Sequence, residues 1–131
     1  MKIPENAQII NFPGSIMWFD EKGIVCSLSK QMEAPMNFDE VVKTVEAFKK
    51  MLGGKKVNIL LDITESSPSD KKTRDYMAVE MPIFTKSLAL VSTSPLGRMM
   101  ANLFFGLKPP PYPAKIFSTE EEAREWIAKL G

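Results

Sequence analysis

NFDEVVKTVEAFKKMLGGKKVNILLDI, residues Asn37 to Ile63, decides the fold. Its first half is a helix with both ends written in. Asn37 offers an N-cap with Glu40 three residues on, and Phe38, Val41, Val42, Val45, Phe48 and Leu52 recur at helical spacing before Gly53-Gly54 ends the run. Its second half, VNILLDI (57–63), is nearly continuously apolar and β-branched at its ends, as a strand covered by helices on both faces should be. An amphipathic helix feeding a buried strand predicts an α/β protein built on a parallel sheet.

Downstream, TESSPS leads into a second helix, with Ser69 as its N-cap before Asp70 and with Tyr76, Met77 and Met81 as apolar positions, and Pro82 stops or kinks it. LALV (88–91) reads as another buried strand. Ser94 and Pro95 then open a third helix as cap and first helical residue. KIF (115–117) is a short strand, and Ser118 to Glu122 form a capping box for a last helix with Ala123, Trp126, Ile127 and Leu130 on one face. Upstream, IMWFD (16–20) and GIVCSL (23–28) form a hairpin around Glu21-Lys22-Gly23, and residues 1–14 are a flexible or edge-strand lead. The order is β-β-α-β-α-β-α-β-α: a mixed, largely parallel sheet of about five strands with about four helices, in a single domain over 1–131.

Composition removes much chemistry. Net charge +1 over 131 residues gives no electrostatic case for nucleic acid or an acidic membrane. The absence of His excludes His-based triads and His-ligated metals, and one Cys excludes an intramolecular disulfide and multi-Cys zinc sites. No run reaches the ~20 apolar residues of a membrane span, and no apolar signal region follows Lys2, so the expectation is a cytoplasmic protein without stable membrane insertion. Cys26 reads as a small buried hydrophobe. Charge is uneven along the chain: no acid occurs between Glu80 and Glu120, where Lys86, Arg98, Lys108 and Lys115 lie.

DITESSPSDKKTRDY (62–76) and SPLGRMMANLFFGLKPPPYPAKIFSTEEEAREWI (94–127) resemble a family of small bacterial proteins of unknown function described as having the STAS fold, that of the anti-sigma-factor antagonists typified by SpoIIAA. The resemblance covers roughly residues 15–130 and implies the strand and helix order already read from the residues. In the antagonist branch a Ser at the N-terminus of the helix after the central strand is phosphorylated. The resemblance places that switch loop here at Ser66, Ser67 and Ser69, where a phosphate would meet unpaired amides. This chain has Ser-Pro-Ser-Asp where that branch has Asp-Ser-Ser-Gly, and a plain turn with an N-cap is the competing reading.

Other candidates come from the residues alone. In the helix from Pro95 to Gly106, Leu96, Met99, Met100, Leu103 and Phe104 form one apolar stripe, read as buried, leaving Arg98, Asn102 and Phe105 opposite. Phe105 there, with Lys108 and Tyr112 in the proline-rich loop that follows, makes an interaction or ligand face unless the loop folds back over it. Ser94 and Arg98 meet at a helix start that suits a carboxylate or phosphate, against the plainer reading of a capped helix. Asp62, the only acid in its strand, is the first carboxylate to test as a base; a turn-bonding role competes with a pairing with Glu65 at a Mg²⁺ site. Trp18, Phe19 and Trp126 anchor packing, and Met77, Met81, Met99 and Met100 supply an adaptable core or a greasy pocket.

These features predict a non-enzymatic regulatory or protein-interaction module of the STAS-like type, without cofactor or metal, whose partner is another protein or a second copy. The alternative is a small-molecule or lipid carrier with a Met-rich pocket between helices and sheet and a cationic mouth at Arg98, Lys108 and Lys115. A third reading, an enzyme using Asp62 with Arg98, lacks a second proton-transfer group at matching spacing.

Overall fold

The computed structural model describes residues 1–30, 37–65, 70–107 and 109–130. Among them the chain forms β1 (Ile10–Phe12), β2 (Ser15–Phe19), β3 (Val25–Ser29), α1 (Phe38–Leu52), β4 (Val57–Asp62), α2 (Lys71–Phe84), β5 (Thr85–Val91), α3 (Pro95–Leu107), β6 (Ala114–Phe117) and α4 (Glu120–Leu130). The six strands make one sheet in sequential order. β1, β2 and β3 pair antiparallel, and β3 through β6 run parallel. The expected α/β architecture is therefore present, with one strand more than the sequence suggested: the lead contributes edge strand β1, turned onto β2 by Pro13-Gly14.

The helices begin and end where local chemistry says they must. The Asn37 side chain accepts the Glu40 N–H at 2.8 Å, and Gly53, at φ 59°, takes the left-handed conformation that closes α1. Thr119 Oγ1 accepts the Glu122 N–H, while the Glu122 carboxylate accepts back from the Ser118 and Thr119 hydroxyls. At α2 the cap is Asp70, not Ser69: the Asp70 carboxylate accepts the Thr73 N–H at 2.8 Å, which holds its pKa below the usual carboxylate range. A carboxylate caps as well as a hydroxyl and adds charge at the positive end of the helix. Pro82 lies inside α2, two residues before its end, where its missing N–H removes one bond from the last turn, and β5 then starts without an intervening loop at Thr85.

Alternation along the strands divides the core in two. Met17, Val25, Ile59 and Leu88 face α1 and α2, packing with Val45, Phe48, Leu52 and Phe84. Trp18, Cys26, Leu60, Ala89 and Val91 face the opposite side, where Ala123 and Ile127 of α4 and the Met1–Ala7 segment cover them. Successive parallel crossovers of one hand put α1 and α2 on the same side of the sheet. α4, which follows the last strand, takes the other. Trp18 is buried as expected, whereas its neighbour Phe19 is 41% exposed, because adjacent strand residues point to opposite faces and β2 is near the sheet edge.

Candidate functional site

A cavity of about 250 Å³ lies between the sheet and the α1–α2 pair. Its floor is apolar: Phe48 of α1, Ile59 of β4, and Met81 and Phe84 of α2. Phe48 and Phe84 meet edge to face at 5.1 Å, which fixes both rings. Toward the C-terminal ends of β3 and β4 the lining becomes polar, with Ser15, Ser27, Ser29, Thr44 and Asp62. The serines converge through strand register. Ser27 and Ser29 are two apart on one face of β3, and Ser15 stands directly across from Ser29 on β2. Crevices at the carboxyl ends of strands in open α/β sheets are where such folds bind ligands.

The two helices that roof the cavity are tied together by Lys49, whose ammonium reaches Glu46 at 3.1 Å and Glu80 of α2 at 3.0 Å. These hydrogen bonds, that to Glu80 foremost, hold the Lys49 pKa above its ordinary value. Phe38 and Tyr76 stack edge to face at 5.4 Å across the same helix pair. Burial first, and then the nearby Glu80 and Glu46 charges, push the Tyr76 hydroxyl upward. Met77 and Met81 line the cavity, so that part of the Met-rich pocket read from the sequence is present. Its serines were not read as site residues, although Ser27-x-Ser29 inside a buried strand was a signal that one covered face is polar.

The other sequence-derived candidates are distributed elsewhere. Asp62 Oδ1 accepts the Thr64 N–H at 2.9 Å, a turn-bonding role, and its Oδ2 lies 3.4 Å from the Met1 amine. Glu65 is exposed, and its N–H donates to Ser29 Oγ. Ser94 caps α3 through the Gly97 N–H, as expected. Arg98 Nη1 donates to the Ser92 carbonyl at 2.8 Å, so this guanidinium bonds the backbone just after β5. Ser66, Ser67 and Ser69 of the switch loop, and Lys108, lie outside the described residues.

The facing of Leu96 and Met99 in α3 corrects the sequence reading, while the side chains of Met100, Leu103 and Phe104 lie outside those described. Leu96 is 62% and Met99 61% exposed, while Arg98 and Phe105, placed on the outer side by their spacing, are half-buried; Asn102 is exposed. The reason is local anchoring. A Cβ on Gly97 would stand 3.1 Å from Ser92 Oγ, so glycine lets the first turn settle this close without displacing that side chain, and the Arg98 bond to Ser92 holds the same side down. Tyr112 is half-buried against the α1–α2 side of the core, with burial raising its pKa, and the Pro113 carbonyl accepts the Leu88 N–H. Of the cationic mouth, Arg98 and Lys115 do not line the cavity, the Lys115 ammonium instead lying 5.5 Å from the Phe117 ring, and Lys108 lies outside the described residues. Phe117 packs with the cluster on the opposite sheet face.

Cys26, fully buried, accepts from Arg124 Nη2 at 3.4 Å. Burial outweighs the Arg124 charge and pushes its thiol from an ordinary value of 9.0 up to about 11. Between those values the unfolded chain has released the proton and the folded chain keeps it, so raising the pH favours unfolding. The unfolding free energy should therefore fall between pH 9 and 11 by about 2–3 kcal/mol more in the wild type than in Cys26→Ala. Urea titrations of both at pH 8 and pH 11 measure this; parallel losses would remove Cys26 as the cause.

Comparison with known proteins agrees with the fold. Among solved structures the chain is similar to an uncharacterised protein of the DUF3478 family with a SpoIIAA-like fold from Shewanella loihica PV-4, at 13% identity and TM-score 0.61, covering 92% of this chain and 90% of that one. It is also matched to a protein of unknown function from Arthrobacter sp. FB24 at 23% identity and TM-score 0.31, covering 86% and 92% of the two chains. The Shewanella likeness bears out the SpoIIAA-like fold. No curated protein sequence matches. The model of a family described as "Domain of unknown function (DUF7793)" matches residues 17–130. Among the described residues no helix is long and apolar enough to cross a membrane.

Proposed function

The chain belongs to the DUF7793 family of domains of unknown function, and within that family we propose that it is a non-enzymatic binding domain that takes a small, largely apolar molecule between α1, α2 and the sheet. The observation that carries this reading is the cavity itself: about 250 Å³ with an aromatic floor and a polar rim at the strand ends. An engineered apolar cavity of ~150 Å³ takes benzene, so this one has room for about ten heavy atoms. Toluene is the plainest probe. It should bind saturably and move the methyl resonances of Met17, Met77 and Met81, and Met81→Trp, which fills the floor, should abolish this while the protein stays folded. Unmoved methyls in the wild type would remove the reading.

A second reading, self-association through α3, is favoured by the outward stripe of Leu96, Met99 and Leu107. A single helix offers a narrow strip, and a twofold contact uses it on both copies at once, which makes a second copy the partner that fits. Sedimentation velocity should show concentration-dependent association that Met99→Glu abolishes; a wild type monomeric throughout would discard it.

A further inference from the structure

From the lining of the α1–α2 cavity we infer that its ligand is uncharged at the polar end, an alcohol-like or amide-like head on an apolar body, and that carboxylates of the same length are rejected. This rests on the binding reading above. Ser15, Ser27, Ser29 and Thr44 bring hydroxyls to the rim; Thr44 Oγ1 donates to the Glu40 carbonyl and Ser29 Oγ accepts from the Glu65 N–H, so the donating and accepting role falls to Ser15 and Ser27, which complement a head that does the same. A carboxylate would need a compensating cation once withdrawn from water. Among the described residues lining the cavity there is no lysine or arginine. Lys30, next to Ser29 in the chain, directs its ammonium to the Phe12 carbonyl at 3.0 Å. Asp62, the charged residue among the described lining residues, has its carboxylate on the Thr64 N–H and the Met1 amine.

Size sets the probe length. Room for about ten heavy atoms matches 1-octanol and octanoate, which differ in the head and share the chain. Titrating each into the full chain at neutral pH, below its aggregation threshold, and following the Met17, Met77 and Met81 methyls, should give octanol a Kd at least about tenfold lower than octanoate, the scale on which a site rejects an unmatched polar group. Ser27→Ala should weaken octanol severalfold and leave toluene unchanged. Octanoate binding as tightly as octanol, or octanol binding that ignores the serine, overturns the inference while toluene binding still supports the cavity. Failure of toluene as well overturns both.

Discussion

Trp18→Ala should lower the free energy of unfolding by about 3–5 kcal/mol. Trp18 is the largest of the fully buried side chains, 1% exposed, and fills the sheet face that α4 covers. That face has little in reserve. Where α1 and α2 roof the other side, this one is closed by α4 and the Met1–Ala7 segment, so removal of an indole leaves a void that few side chains can collapse into. Against a total stability of ~5–15 kcal/mol for an ordinary domain, the loss is large enough to leave a substantial unfolded population in a marginal one. Urea unfolding followed by far-ultraviolet circular dichroism measures it, since Trp126 would confuse a fluorescence comparison. Phe19→Ala is the matched control: 41% exposed and one position along the same strand, it should cost less than about 1.5 kcal/mol. Similar losses for both would mean that β2 does not place them on opposite faces.

Asp20→Ala should cost about 2–4 kcal/mol, the largest effect expected of any polar substitution in the chain. Its Oδ1 accepts the Lys22 and Ile24 N–H groups, both at 2.9 Å, which shapes the β2–β3 turn; its Oδ2 accepts from Arg124 Nη1 at 2.7 Å, which docks α4 on that turn. One carboxylate, 10% exposed, thus serves two elements about a hundred residues apart in the chain. The ion pair contributes the smaller share, because Arg124 is 35% exposed and has Glu120 as a second partner at 3.5 Å. Asp20→Asn, which keeps an oxygen for the turn and loses the charge, should therefore cost about half as much as Asp20→Ala. A double-mutant cycle with Arg124→Met separates the two parts. A coupling energy equal to the whole Asp20→Ala loss would show that the turn contributes nothing.

Both predictions use features the sequence displays unevenly. Trp18 and Phe19 look alike in IMWFD, and only strand direction distinguishes them. Asp20 sits in a turn readable from Glu21-Lys22-Gly23, but its partner Arg124 gives no local signal because the pair closes a long loop. The same contrast runs through the candidate site. Met77 and Met81 were legible as a possible pocket from their helical spacing, while Ser15 reaches Ser29 only through antiparallel register.

What the sequence determined alone was whatever is satisfied within about one helical turn or one strand. Asn37 with Glu40, Ser94 with Gly97 and Thr119 with Glu122 make their bonds three residues apart, and VNILLDI reads as a buried strand, so element order and the α/β class followed. Tertiary structure decided the rest. α3 has its larger apolar stripe on one side and a smaller surface on the other, and periodicity favours burying the first. Gly97 against Ser92 and the Arg98 bond to the Ser92 carbonyl instead hold Arg98 half-buried, with Leu96 and Met99 exposed. The cavity was decided in the same way, since it is the volume left between residues from Gly14 to Phe84 once β2, β3, β4, α1 and α2 have each taken their places, and no local pattern encodes space between elements.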